Sequence, residues 1–420
     1  MTTFSIRHAT IVTVDASNRV LRDATIVVED GVVSAILPSD AAHFARIDGD
    51  IDARGAIVMP SLINAHTHLA MTMFRGFADD MNLQGFLDRL FPVEERVLSP
   101  DTVRLGARLA FAESLRAGCT TALDMFWWPE ITQEEAAAAG FDVQAGPVFI
   151  GFPGPDRTPF AERAHRARHT GPHNWLFAHG TYTMQPHELD EVGRLAAETG
   201  ARFHIHASEN QSEVDVVRER FGQSPIELLD RYGLLRPGTL LAHAVVLDDH
   251  EIERVAATGT AVAHCPLSNL KLASGICRVP ELLRAGVTVG LGTDGPASSN
   301  DLDLFLAMRV AALLHKGAAL DATAITAHQV LRMATIDAAR ALGIAGHTGS
   351  IEVGKRADLV MLDPDSPALT PAYDAASTIV YAASRADVLD VWSAGRRVVK
   401  QRECLTVDVP SALAAMRRLQ

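Results

Sequence analysis

Lysine is nearly missing from this chain. Only Lys271, Lys316, Lys355 and Lys400 occur in 420 residues, and arginine carries the rest of the positive charge. No basic stretch offsets the net charge of −13, which argues against nucleic acid as a partner. Cysteine is scarce too. Cys119, Cys265, Cys277 and Cys404 are scattered with no CxxC, so neither a disulfide framework nor a thiolate zinc site is expected. No uncharged apolar run reaches membrane-spanning length. The opening residues, MTTFSIRHATIVTVDASNR, lack the basic start and long apolar core of a secretory signal. A cytoplasmic protein off the membrane is the expectation. Low-complexity segments and tandem repeats are absent as well. A content of 48% hydrophobic and 21% charged residues fits a globular enzyme and argues against disorder.

What is present is a change of pattern along the chain. Residues 1–58 read as short β-branched strands broken by turn signals such as Asp-Ala-Ser-Asn and Glu-Asp-Gly, and residues 350–420 read the same way. The two ends are expected to pair into one composite β-sandwich. Residues 59–349 alternate apolar strands with helices. Eight strands are legible: AIVMPSLINAHTH, TTALDMF, DVQAGPVFIG, NWLFAHGTY, RFHIHASE, TLLAHAVVL, TAVAHCPLSN and TVGLGTDG. Helix signals lie between them. Ser99 and Pro100 open one helix that stops at Gly118. Ser224 and Glu227 stand at capping-box spacing. Leu189, Val192, Leu195 and Ala196 share one face of a helix that ends at Gly200. Alternating strands and helices predict a parallel sheet, and eight repeats fit an α/β fold of the (β/α)8 barrel type. A doubly wound open sheet is the alternative.

The polar residues fall where a barrel builds its active site, at the C-terminal ends of the strands. A chain with 17 His will place two of them one residue apart by chance, so His66-Thr67-His68 alone says little. Its company says more. His179 ends strand four, His206 strand five with Glu209 just beyond, and Asp294 strand eight; His243 and His264 lie in strands six and seven. Residues i and i+2 face the same side of a strand, so His66 and His68 both turn inward. With His206 and Asp294 they form a candidate site for one divalent metal, most simply Zn²⁺; the mixed imidazole and carboxylate set also suits Fe²⁺. His204 shares the inward face one layer deeper and reads as a packed interior histidine.

The ordered motifs HTH, HIHASE, LLAHAV, HCPLSN and GLGTDG resemble the amidohydrolase superfamily over nearly the whole chain, including the tail GKRADLVMLD. HTH(x)5FRGFADD, FPVEE, SNLKL and GTDGPASSN resemble its methylthioadenosine/adenosylhomocysteine deaminase and triazine hydrolase branch. The resemblance implies a barrel with a two-ended β-sandwich and a metal-activated water. Some relatives bridge two metals with a carboxylated lysine on strand four. No lysine precedes Lys271, so a single metal is expected. By the same resemblance Asp294 takes the water proton, His243 orients the hydroxide, and Glu209 protonates the substrate ring nitrogen.

Substrate contacts are implied in the same way. His179 matches a position that touches substrate, and Glu94 in FPVEE one that binds ribose hydroxyls in the nucleoside deaminases. Phe86 stands where the adenosylhomocysteine-type enzymes often show a Trp. Asn269 and His264 are expected to brace the strand-seven loop, Asn269 near the substrate. Phe126, Trp127 and Trp128 read equally as an aromatic wall for a flat ring or as a packed cluster at a helix start. Strand three ends in GPVFIG where an Arg can meet a substrate carboxylate, which leaves Arg157, in the following loop, as the candidate cation. The expected activity is hydrolytic deamination of an aminated N-heterocycle such as a nucleoside, purine or pterin, by a homo-oligomer. The rivals are a hydrolase of the same fold with a different leaving group, and a non-catalytic scaffold.

Overall fold

The computed structural model describes residues 3–40, 49–169, 171 and 174–419. The two chain ends share one mostly antiparallel sheet. Thr3–Val12, Val20–Glu29 and Val32–Pro38 form a meander at one side, and Leu359–Leu362, Val388–Ser393, Arg396–Lys400 and Glu403–Cys404 another at the far side. Ile57–Pro60 joins them, parallel to the first strand and antiparallel to Leu359–Leu362. Alternating apolar side chains fill the sheet's own core. Ile6, Ile11, Ile26 and Val28 pack with Leu359 and Trp392, the last stacked on Phe4 at 6.0 Å. The turn after the first strand is fixed by Asp15, whose carboxylate accepts from the Ser17 and Arg19 amides.

The remaining strands run parallel and in chain order: Leu62–Thr67, Cys119–Asp124, Asp142–Ala145 with Val148–Phe149, Trp175–Gly180, Arg202–Ala207, Thr239–His243, Ala261–His264 and Val289–Leu291. They close into the expected barrel, with two departures from the sequence reading. The run AIVMPSLINAHTH is not one strand. Its first half belongs to the terminal sheet, and the chain crosses at Ser61, whose amide bonds Asp358, while the Leu62 amide bonds Gly118 at the barrel floor. The third strand is broken at Gly146-Pro147. A Cβ on Gly146 would lie 2.2 Å from the Trp175 carbonyl oxygen, so only glycine lets the strand bend there.

Closure between the last and first strands uses side chains as well as backbone. The Asp294 amide donates to the His66 carbonyl at 3.1 Å, and Asn64 exchanges hydrogen bonds with Thr293, 3.0 Å to its amide and 2.7 Å to its hydroxyl. Gly292 permits that approach, since a Cβ there would sit 2.9 Å from the His66 carbonyl oxygen. Asp294 is thereby tied to the first strand's histidines.

The helices obey their predicted caps. Pro100–Arg116 and Pro225–Arg231 carry capping boxes from Ser99 and Ser224, and Pro186–Thr199 ends on left-handed Gly200 with Leu189, Val192, Leu195 and Ala196 buried. One helix matters most for the site. Leu83–Val97, capped by Asn82, turns Phe86, Leu87, Leu90 and Glu94 to the interior. Among the described residues no helix is long and apolar enough to cross a membrane.

Candidate active site

Four side chains converge at the strand ends. One ligand-type atom from each of His66, His68, His206 and Asp294 lies within 4.8 Å of the others. Asp294 Oδ1 is 3.3 Å from His66 Nε2 and 3.2 Å from His68 Nε2, and the Nε2 atoms of His206 and His68 are 3.3 Å apart. Ligands held at about 2.1 Å in a tetrahedron stand roughly 3.4 Å from each other, so these spacings suit a small divalent ion.

The hydrogen-bond partners decide which ring nitrogen faces the centre. His68 Nδ1 donates to the Met125 carbonyl, and His206 Nδ1 to the His179 carbonyl at 2.6 Å. His66 Nδ1 meets His204 Nε2 at 2.8 Å, while His204 Nδ1 is spent on the Leu240 carbonyl at 2.7 Å. A neutral His204 is therefore an acceptor, His66 donates through Nδ1, and all three ligand rings present Nε2 lone pairs to one point. His66 Nε2 is buried and makes no hydrogen bond. Lone pairs facing one another need a cation between them, and the residues fit one.

Burial drives His66 down to about 4 and His204 and His206 well below the ordinary imidazole value, so these rings are neutral. Burial opposes charge on Asp294, yet interaction with His66 and His68 holds its carboxyl well below the usual range. Its other oxygen accepts from the Ser268 and Ser298 hydroxyls, both at 2.6 Å. Asp294 and His243 both adopt left-handed backbone, φ 60° and 69°, a strain of about 1–3 kcal/mol each that recurs at functional sites.

Glu209 and His243 border the same space. His243 Nε2 is 4.0 Å from Glu209 Oε2, and its Nδ1 donates to Asn269 Oδ1 at 2.8 Å. Burial raises the Glu209 carboxyl above its ordinary value. A second buried carboxyl, missed in the sequence, stands behind it. Glu213 Oε2 accepts the Glu209 amide at 2.7 Å and Oε1 accepts the Thr181 hydroxyl at 3.2 Å. Burial pushes Glu213 up to about 7. Its place in the first turn after the Asn210 cap reads in the sequence as an ordinary solvated carboxylate, so no local signal marks it.

A cavity of about 650 Å³, counted with its open mouth, leads to these groups. Phe86, Glu94 and His179 line it, as do Phe126 and Trp127. Glu94 is buried, hydrogen-bonded by the Trp127 side chain on one side, with Oε1 free of partners; burial lifts it to about 7. Tyr182, not singled out in the sequence, also lines the cavity, its ring 5.9 Å edge-on to His179. Two expectations, for Arg157 and Asn269, need correction. Arg157 does not reach the cavity: its side chain is 66% exposed and pairs with Glu95 at 2.6 Å. Asn269 does not line the cavity either, because its oxygen is committed to His243. Trp128 turns aside at φ 51° to start the helix Pro129–Ala139. His264 packs behind the site against His315, Nε2 to Nε2 at 3.2 Å.

Comparison with known proteins gives the same direction. A sequence model described as the amidohydrolase family matches residues 57–398. The 5-methylthioadenosine/S-adenosylhomocysteine deaminase of Syntrophobacter fumaroxidans is 41% identical over 419 residues, covering 97% of this chain and 95% of that one. The crystal structure of a zinc-bound adenosine deaminase from Xanthomonas campestris superposes with a TM-score of 0.95 at 38% identity, over 99% of this chain and 97% of that one. A zinc complex of atrazine chlorohydrolase from Arthrobacter aurescens superposes with a TM-score of 0.90 at 26% identity, covering 99% of each chain.

Proposed function

This chain belongs to the amidohydrolase family, and we propose that within it the protein is a mononuclear, zinc-dependent deaminase of adenosine-type nucleosides. One observation carries the reading. Three imidazole Nε2 atoms and Asp294 Oδ1 converge on the floor of a cavity that also exposes Glu209 and His243. Relatives named for deamination of adenine nucleosides support the substrate class.

His66, His68, His206 and Asp294 would hold the ion, which when bound lowers the pKa of water toward neutrality. The protein's own groups divide the proton work. Glu209, whose carboxyl burial raises above its ordinary value, is the acid that gives a proton to the ring nitrogen beside the amino-bearing carbon as the water oxygen adds to that carbon. Asp294 accepts the water proton. His243 has its Nδ1–H locked on Asn269, so Nε2 is the atom that orients the adding water. Asp294 then returns its proton to the amino group, and the C–N bond breaks. Ammonia departs, the new hydroxyl loses its proton to Glu209, and the ring keeps a carbonyl. Two carboxyls with opposite pKa displacements are what an acid and a proton acceptor require at one pH. Glu94, with an unpartnered buried oxygen, is the polar group on offer to the ribose hydroxyls.

The test is an ammonia-release assay of zinc-loaded protein on adenosine, with Glu209→Gln alongside. The variant is expected to keep its metal and lose turnover by a factor of about 10² or more, the usual scale for general acid–base catalysis. Normal turnover in Glu209→Gln would overturn its role. Release of chloride from a chlorinated triazine, with no ammonia from any nucleoside, would move the protein toward the activity named for its Arthrobacter neighbour.

A further inference from the structure

The cavity is unevenly furnished. Its catalytic side is polar, but the wall supplied by Leu83–Val97 presents Leu83, Phe86, Leu87, Leu90 and Phe91, with Glu94 as the one polar lining residue from that helix. No lysine or arginine lines the cavity among the described residues. The groove beside the mouth shares Leu83, Leu87 and Tyr182, adds Asn82, Gln84 and Asn210, and has no lysine or arginine either. The nearby cations are engaged elsewhere. Arg157 is paired with Glu95, and Lys271 with Asp79, both at 2.6 Å. Arg163 lies behind the Trp127 ring, 5.3 Å from its centroid, and is neutralised by Asp156. Arg220 donates to the Tyr182 carbonyl at 2.6 Å.

We propose that the site selects adenine nucleosides whose 5′ substituent is uncharged and apolar, and rejects those ending in an α-amino-acid carboxylate. The inference rests on the nucleoside reading above and divides the substrates it allows. A tail carboxylate inside this cavity gives up water and meets no lysine or arginine among the lining residues. An unpaired charge buried in this way weakens binding strongly. An alkylthio tail meets leucine and phenylalanine instead and gains from burial.

The experiment uses the full chain loaded with zinc and compares three substrates by ammonia release: 5′-methylthioadenosine, S-adenosylhomocysteine, and 5′-butylthioadenosine, which keeps the four-carbon chain of the latter's tail and carries neither of its charges. The expected kcat/KM is about 100-fold or more higher for methylthioadenosine than for S-adenosylhomocysteine, with most of the gap recovered by the butylthio nucleoside. Calorimetry on zinc-loaded Glu209→Gln should give the same order in Kd without turnover. Values of kcat/KM within about 5-fold for the two natural nucleosides would overturn the inference. A butylthio nucleoside as poor as S-adenosylhomocysteine would overturn it too, because length and not charge would then decide. If no nucleoside released ammonia, the reading of the function would fail first and the selectivity with it.

Discussion

Replacing His204 with leucine removes the acceptor that holds His66 in its metal-facing tautomer. His204 sits one layer below the ligands, flanked by Trp175 and Phe177, and touches none of the cavity. Its side chain meets the ligand set at the 2.8 Å contact to His66 Nδ1. Without it, that N–H is buried and unpaired and the ring is free to reorient. Removing such an outer partner of a metal-binding histidine typically costs 10–100-fold in affinity, about 1.4–2.7 kcal/mol. The stranded Leu240 carbonyl adds roughly 1–3 kcal/mol to the stability cost. Zinc affinity, read by competition with a chelator at pH 7, should fall by one to two decades in His204→Leu. Ammonia release should return to within a few-fold of the parent at saturating zinc. His204→Gln, whose side-chain oxygen can accept from His66, should recover part of the affinity. Unchanged affinity in the leucine variant would refute the tautomer argument.

Two further perturbations address the proton-handling groups. Asn269→Ala should leave metal content and KM near the parent and lower kcat by about 10–100-fold, because His243 loses the partner of its Nδ1–H; a KM effect alone would return Asn269 to substrate contact. Glu213→Gln bears on pH and stability. In the folded protein Glu213 keeps its proton to about pH 7, well above its ordinary value of 4.5. Between those values the native state binds a proton that the unfolded chain has lost, so this group's contribution falls as pH rises through the window. The Tm of the variant minus that of the parent should therefore grow from pH 5 to pH 8. A flat difference would mean that Glu213 ionises normally.

The site was legible in the sequence because catalytic groups on a barrel are carried by strand ends, and strand ends are marked by alternation and flanking turns. His66, His68, His206 and Asp294 each follow an apolar run, and the structure brings all four together. What was not legible depends on direction and on long-range pairing. The run AIVMPSLINAHTH is buried from end to end, with Ala56 and Val58 in one core and Ile63 and Ala65 in another, so apolar residues on both sides of Ser61 give no sign of the crossing there. Arg157 lies in a loop, where residue type does not encode the side chain's heading; Glu95, on the outer side of Leu83–Val97, was free to claim it. Glu94, one position earlier on that helix, points inward with 3% exposure. Adjacent residues about 100° apart on a helix are what separate a buried carboxyl on the cavity wall from a surface ion pair. The pair Glu94-Glu95 in FPVEE therefore settles two questions with one rotation: it gives the cavity a polar group at its apolar wall, and it draws the candidate arginine out to the surface. The same helix geometry that keeps the Glu94 carboxyl on the cavity wall leaves Arg157 paired outside it.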